Sequence, residues 1–283
     1  MTLTLNAAKR IAAAQFRAAG LPSPGLDARI LLGHAAGLSH AQMIAQGTDE
    51  LEPKILAEFE GLTARRILRE PVDHILGQRE FYGRAFKISK DVLSPRPETE
   101  MLIDAGLALL KDIPNPRILD LGTGSGAIAL TLLAEIKDAG ALGVDISQPA
   151  LSIAKENADL LGVSARARWH MGSWFDGVEN RFDLIVSNPP YITDAAMAEL
   201  APEVSGFDPA LALSGGADGL GPYRAIISKM GAYMKAGGAA LFEIGYDQKD
   251  GVLDILKRAG FNDATCAQDL GGHERMIKVR NTL

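Results

Sequence analysis

A doubly wound α/β sheet preceded by a smaller helical block is the fold class the sequence predicts, on three observations. Apolar residues recur at helical spacing up to about residue 76, a short run of β-forming residues follows, and from residue 96 onward apolar runs alternate with amphipathic helical patterns. At 283 residues the chain is long enough for two domains and a sizeable buried core. The expected division is a helical domain over 1–76, a β-hairpin linker over 77–95 and a sheet domain over 96–283.

The helical block rests on Leu5, Ala8, Ile11, Ala12 and Phe16, then Ile30, Leu31 and His34, then Ile55, Phe59, Leu62, Arg66 and Leu68, with Pro22, Pro24, Gly37, Gly47 and Pro53 as punctuation. Glu80-Phe81-Tyr82 and Ala85-Phe86-Lys87-Ile88, separated by Gly83-Arg84, predict a hairpin. After Ser94-Pro95-Arg96-Pro97, Glu98 and Glu100 place carboxylates in the first turn of a helix that continues through Leu110. Strands are expected at Arg117 to Leu121, Ala141 to Asp145, Arg166 to Met171, Phe182 to Ser187 and Ala239 to Gly245. Helices are expected at Ala127 to Lys137, Pro149 to Leu161, Pro222 to Met234 and Asp247 to Arg258, and Glu274 to Arg280 alternates like a final edge strand.

Composition narrows the function classes. Lys+Arg 29 against Asp+Glu 35 leaves a net charge of −6, and the helical block is balanced at eight against eight, so no basic stripe offers itself to a phosphate backbone. Direct nucleic-acid binding is therefore not expected. The single cysteine, Cys266, forms no internal disulfide and stands in no zinc-ligand spacing, which fits a reducing cytoplasm and no metal. Lys9, Arg10 and Arg17 interrupt the apolar residues of the N-terminus, so a signal peptide or membrane span is not expected, and the absence of a coiled-coil stretch points to a monomer. His34, His40, His74, His170 and His273 show no partner spacing and read as core or surface residues.

Two constellations carry chemistry. The first is Asp120-Leu121-Gly122-Thr123-Gly124-Ser125-Gly126-Ala127, a strand end, a glycine turn and a helix start. Glycines allow positive φ and close approach of a ligand, and a helix N-terminus presents free N–H groups to an anion. Asp145, at the end of the next strand, is placed to accept hydrogen bonds from both hydroxyls of a ribose, which implies a nucleoside. Gly122, Gly124 and Ala127 satisfy a dinucleotide pattern, whereas Gly122, Gly124 and Gly126 give the pattern of S-adenosylmethionine enzymes. The acid at Asp120 suits a cofactor with an ammonium group better than one with two phosphates, which favours S-adenosylmethionine. Gly215-Gly216 and Gly219 lack the Lys-Ser/Thr of a phosphate loop and read as a surface turn.

The second constellation is Asn188-Pro189-Pro190-Tyr191, directly after an apolar strand. Two prolines fix φ and remove N–H donors, giving a stiff extended segment whose carbonyls can face a substrate. Asn188 adds a neutral acceptor and Tyr191 a flat face. Together they suit a planar NH₂ group, with the Asn188 side chain and the Pro189 carbonyl accepting its two hydrogens and Tyr191 stacking on its plane.

This constellation resembles that of methyltransferases acting on exocyclic or side-chain amide nitrogens, and the chain as a whole resembles the HemK/PrmC protein-glutamine methyltransferase family. The resemblance covers essentially the full length. It is carried by Asp120 to Gly126, Asp145, Gly172-Ser173-Trp174-Phe175, Asn188 to Tyr191, Arg96 to Glu100 and Glu243-Ile244-Gly245. It implies a Rossmann-like class I methyltransferase sheet and S-adenosylmethionine as methyl donor. It also implies, as acceptor, the glutamine of the Gly-Gly-Gln loop of peptide chain release factors, so that the reaction modulates translation termination. By the same resemblance Gly122, Thr123, Gly124, Ser125 and Gly126 surround the methionyl end of the cofactor, Asp145 its ribose and Trp174 its adenine. Asn188, with Pro189, Pro190 and Tyr191, holds the target amide next to the methyl group, and the helical domain recognises the protein substrate. A glutamine methyltransferase of a ribosomal protein and a DNA adenine methyltransferase are the alternatives, since the adenine amine presents the same planar NH₂.

Overall fold

The computed structural model describes residues 3–281. Contacts divide the chain into two units, Met1–Gln78 with Ala201–Phe207, and Arg79–Leu200 with Asp208–Leu283.

The first unit contains α1 (Leu5–Ala18), α2 (Pro24–Ala36), α3 (His40–Ala45), α4 (Pro53–Ile67) and α5 (Val72–Leu76). Thr4 caps α1 by accepting the Ala7 N–H, and Ser39 with Gln42 forms a capping box at α3. Its core gathers Ala8, Ala12 and Phe16 of α1, Leu31 and Leu32 of α2 and Phe59 of α4. Ile11 and Ile30, expected in the core stripe, are exposed, because Ala8, Ala12 and Phe16, spaced by four, already form the buried face of α1, and Ala28, Leu31 and Leu32 that of α2.

The second unit opens with a hairpin, β1 (Gln78–Phe81) and β2 (Arg84–Lys87). Its turn is Tyr82-Gly83, one residue earlier than expected, with φ of 50° and 70°. Two consecutive positive φ values define the two-residue turn that matches strand twist, and the Tyr82 N–H is satisfied by Glu100 Oε1 at 2.8 Å. A 3-10 turn over Pro97–Thr99 then leads into α6 (Glu100–Leu110). The alternating elements follow as β3 (Arg117–Leu121), α7 (Ala127–Glu135), β4 (Gly140–Asp145), α8 (Gln148–Leu160), β5 (Ala167–Met171) and β6 (Phe182–Ser187). Beyond them come β7 (Ile192–Thr193), α9 (Asp194–Met197), α10 (Pro202–Ser205), which falls in the Ala201–Phe207 segment of the first unit, and then β8 (Ser214–Gly216), α11 (Gly221–Met230), β9 (Met234–Glu243), α12 (Lys249–Arg258), β10 (Thr265–Gln268) and β11 (Glu274–Arg280).

The central sheet runs β10-β11-β9-β6-β3-β4-β5, parallel from β9 to β5 and antiparallel at β11 and β10. Alternate residues feed two cores: Ile118, Leu184 and Leu241 pack with α6, α7 and α8, while Leu119, Ile185 and Phe242 pack with α11 and α12. Because β3, β4, β6 and β9 are parallel, their C-terminal ends share one edge. That edge is where open α/β sheets bind ligands.

Two expectations need correction. The C-terminal strand is not the edge: β10 pairs outside it, turned back by Asp269, whose Oδ1 accepts the N–H groups of Gly271 and His273 at 2.8 and 3.0 Å. The helix expected to reach Met234 ends at Met230, and β9 already begins at Met234. Its early residues bulge, since Phe182 pairs with Met234 but Leu184 with Ala239, and Gly237 supplies the φ of 73°. Among the described residues no helix is long and apolar enough to cross a membrane.

Candidate active site

The glycine turn leaves β3 with Gly122, Gly124 and Gly126 at φ of 70°, 54° and 79°. Val144 O accepts the N–H groups of Gly122 and Thr123 at 2.9 and 3.0 Å, tying the turn to β4. Asp145, the last residue of β4, accepts from Gly124 N through Oδ2 at 2.8 Å and from Ser147 N through Oδ1 at 2.9 Å. Each oxygen keeps lone-pair capacity for a ligand hydroxyl. Beneath the turn lies Asp120, wholly buried, whose Oδ2 accepts from Thr123 Oγ1 at 2.7 Å and from Ala129 N at 3.3 Å. Burial pushes its carboxyl up to about 7. Asp120 does not line the cavity; its Oδ2 braces the turn through the Thr123 hydroxyl and the start of α7, and its buried Oδ1 has no hydrogen-bond partner among the described residues.

The cavity at this edge measures about 310 Å³, within the range of small-molecule sites. Gly122, Thr123, Gly124, Ser125, Asp145, Trp174, Asn188 and Pro190 line it, beside Arg96, Thr99, Ile146 and Leu211. Gly126, Pro189 and Tyr191 are not lining residues. Gly126 instead starts α7, where an added Cβ would lie 2.8 Å from the Leu130 side chain. Pro189 is buried and Tyr191 half-buried. In an extended segment side chains alternate, which puts Asn188 and Pro190 on the cavity side and Pro189 and Tyr191 on the other. Trp174 stands at φ of 51°, a left-handed conformation uncommon for an aromatic residue. A Cβ added at Gly122 would touch its ring at 3.7 Å, so turn and indole form adjoining walls.

Asn188 is held from behind. Its Nδ2 donates to Thr99 Oγ1 at 3.3 Å, and Thr99 Oγ1 donates to Glu243 Oε2 at 2.6 Å. Glu243 is buried, which pushes its carboxyl up to about 7, against the opposing pull of Thr99, Arg275 and Asn188. Burial likewise holds the Tyr191 phenol at about 12, so it stays neutral. The Tyr191 carbonyl accepts from Gln248 Nε2 at 2.9 Å, and the same amide reaches Gly219 O at 3.2 Å. Gly215 and Gly219 are therefore not a surface turn. Both are buried, and an added Cβ would lie 2.9 Å from Pro190 O and 2.4 Å from Tyr191 O respectively. Sequence reasoning missed Thr99, Gln248, Gly215 and Gly219. The signal available was the pair of glycines, whose lack of side chains admits the Asn-Pro-Pro-Tyr backbone. Arg96, at the cavity wall, pairs with Asp208 at 2.9 Å.

A parallel sheet with a glycine turn at β3, an acid closing β4 and Asn-Pro-Pro-Tyr closing β6 defines a methyltransferase. In accord with this, the methyltransferase small domain family matches residues 99–203, and the PrmC N-terminal domain family matches 7–77. The chain is 45% identical over 273 residues to the release factor glutamine methyltransferase of Cereibacter sphaeroides, covering 96% of this chain and 97% of that protein. It is 40% identical over 285 residues to the enzyme of the same description from Caulobacter vibrioides, covering 100% and 99%. The chain belongs to the release factor glutamine methyltransferase family. In fold it is similar to the ribosomal protein L11 methylase of Lactobacillus delbrueckii subsp. bulgaricus, with a TM-score of 0.50 and 20% identity, covering 68% of this chain and 82% of that one.

Proposed function

We propose that this protein transfers the methyl group of S-adenosylmethionine to the side-chain amide nitrogen of the Gly-Gly-Gln glutamine of peptide chain release factors. The observation that carries this is the placement of Asn188 on the wall of the cavity that also holds the glycine turn and Asp145. The cofactor fits these residues. Gly124 has nothing within 4 Å of an added Cβ, so a ligand can approach its backbone, and Asp145 retains acceptor capacity for two hydroxyls. Bound there, the cofactor supplies an electrophilic methyl carbon on sulfur.

The chain's own residues position the acceptor. Asp145 would accept from the ribose, Trp174 would flank the adenine, and Gly122 to Ser125 would surround the methionyl end, with Gly126 setting the end of the turn at the start of α7. An amide nitrogen is a poor nucleophile, because its lone pair is delocalised into the carbonyl. Asn188 Oδ1 and the Pro189 backbone carbonyl, the Pro189 ring itself facing away from the cavity, would accept its two hydrogens, hold the nitrogen in line with the methyl group, and stabilise the positive charge that develops as the N–C bond forms and the methyl–sulfur bond breaks, the surplus proton then leaving to solvent. Pro190 stiffens the segment. Tyr191, whose ring lies off the cavity wall, anchors the segment's end through its carbonyl on Gln248. The helical unit, matched by the PrmC N-terminal domain family, is assigned recognition of the protein substrate.

The test is transfer of labelled methyl from S-adenosylmethionine to a purified release factor, beside its glutamine-to-alanine variant, a ribosomal protein fraction and adenine-containing DNA. Peptide mass spectrometry places the label. Methyl on the one glutamine, absent from the variant, supports the assignment; label on the ribosomal protein or DNA alone rejects the substrate and keeps the donor. Amide hydrogen exchange of the full chain with bound release factor tests the helical unit, and no change in α1 to α5 rejects its role.

A further inference from the structure

We propose that Thr99 and Glu243 are positioning residues that fix which end of the Asn188 carboxamide faces the cavity. The inference rests on the assignment of Asn188 as acceptor for the substrate amide. A carboxamide has two faces of similar shape and opposite chemistry, an oxygen that accepts and an NH₂ that donates. Only the oxygen can receive an N–H from a substrate amide. Something must therefore hold Asn188 in one of two orientations related by a half-turn.

The sheet provides it. β6 and β9 are parallel neighbours, with Ser187 opposite Phe242, so Asn188 and Glu243 emerge side by side. Thr99, 4% exposed, sits between them at the end of the 3-10 turn, and Glu243 is 3% exposed. An ionised carboxylate only accepts hydrogen bonds, so at 2.6 Å the Thr99 hydroxyl proton is committed to Glu243. Thr99 Oγ1 then has only lone pairs to offer Asn188, and the Nδ2 found at 3.3 Å is the end that suits them. A half-turn would set Asn188 Oδ1 against oxygen lone pairs in a buried place, where an unmade bond is costly. The result leaves Oδ1 for the substrate.

The direction of this chain depends on the charge of Glu243. A protonated Glu243 could donate to Thr99, whose own proton would then be free to turn toward Asn188 and favour the reversed carboxamide. The groups facing Glu243 are Thr99 and Glu98 from the 3-10 turn, Arg275 from β11, Asn188 and Tyr191 beyond β6, and Tyr223 from α11, whose hydroxyl donates to the Glu243 carbonyl at 2.8 Å. Arg275 favours the ionised form, while burial and Glu98 oppose it, and the balance lies at about 7. The ionised form is the competent one, so methyl transfer rises with pH through that region.

The experiment is single-turnover methyl transfer to release factor from S-adenosylmethionine, with the full chain and its variants, across roughly pH 6 to 8. The wild-type rate should rise about tenfold over that span, as a single group of pKa about 7 ionises. Thr99→Val and Glu243→Gln should lower the rate about tenfold or more while the Kd for S-adenosylmethionine stays within about twofold. Glu243→Gln should also lose the pH dependence, and Thr99→Ser, which restores the hydroxyl, should recover most of the rate lost in Thr99→Val. If Asn188→Ala abolishes transfer while Thr99→Val and Glu243→Gln keep wild-type rates and pH profile, the orientation role is wrong and the assignment of Asn188 stands. If Asn188→Ala itself transfers normally, both fail. Loss of cofactor affinity in Thr99→Ser and Thr99→Val alike would make the pair a structural brace and overturn the proposal, and the two Thr99 variants decide the matter even should Glu243→Gln not fold.

Discussion

The Gly124 N–H donates to Asp145 Oδ2 at 2.8 Å, so the acid that closes β4 also holds the tip of the glycine turn. Removing it takes away the tether of the glycine turn and, on the proposed function, the acceptor for the ribose. Asp145→Ala is expected to weaken S-adenosylmethionine binding by roughly 1.5 to 3 kcal/mol, the size of charge-assisted hydrogen bonds, or about ten- to a hundredfold in Kd. Isothermal titration reads it directly. An unchanged Kd would remove Asp145 from the cofactor site.

Asp120 and Glu243 make stability fall with rising pH. Both are buried carboxyls held at about 7, above their ordinary values of 3.8 and 4.5. Between those values the folded protein keeps protons that the unfolded chain releases. Stability from the two groups is therefore fully present below about pH 4 and is lost as pH rises through about 7, by on the order of 1 kcal/mol per pH unit per group within the window. Asp218, at about 2, and Glu203 and Asp269, which are also lowered, titrate below this window. Urea midpoints should fall from about pH 5 to pH 8, and Asp120→Asn should flatten the slope. A midpoint that rises over the same span would count against both assignments.

Much of the sheet was legible because its strands are buried on both faces. Phe182 to Ser187 is a continuous buried run, and it and Arg117 to Leu121 form where periodicity places them. β10 was not legible: two exposed and two half-buried residues with one irregular pairing leave no alternation to detect. Of the site, the glycine turn, Asp145 and Asn188 are local motifs and reach the cavity. Thr99 and Glu243 lie 144 residues apart and meet only in the fold, where α6, which follows Thr99 directly, packs against β6 and β9. The same holds for Ala201–Phe207, which joins the helical unit through Glu203, 134 residues from Arg69.

That helical unit contains a buried ion pair. Arg66 Nε donates to Asp27 Oδ2 at 2.8 Å, with the side chains 5% and 9% exposed, and Glu203 Oε1 stands 3.7 Å from Arg66. Asp27→Ala leaves a guanidinium inside with the Glu70 carbonyl at 3.2 Å and only the more distant acid, and is expected to cost about 3 kcal/mol in urea unfolding. Replacing both Arg66 and Asp27 by Leu should cost far less, because no charge is then left alone. Asp254→Ala, which breaks the exposed pair with Arg258, should leave the midpoint where it was. Equal losses in the buried and exposed variants would refute the distinction.

Gly215 underlies the acceptor segment. A Cβ there would lie 2.8 Å from Gly219 O and 2.9 Å from Pro190 O, both backbone atoms that cannot rotate away. Gly215→Ala must therefore displace β8 or the Asn-Pro-Pro-Tyr segment, and the segment carries Asn188 two residues upstream. A shift near 1 Å is enough to cost on the order of a hundredfold in transfer rate, while the glycine turn and Asp145, on β3 and β4, keep cofactor affinity. Overpacking should also lower stability by about 1 to 3 kcal/mol. Gly61→Ala is the control: nothing lies within 4 Å of its added Cβ, it sits inside α4, and helix propensity makes the change stabilising by about 0.5 to 1 kcal/mol. Transfer at the wild-type rate in Gly215→Ala would mean that the segment adjusts without moving Asn188, and would separate the packing of β8 from the chemistry of the site.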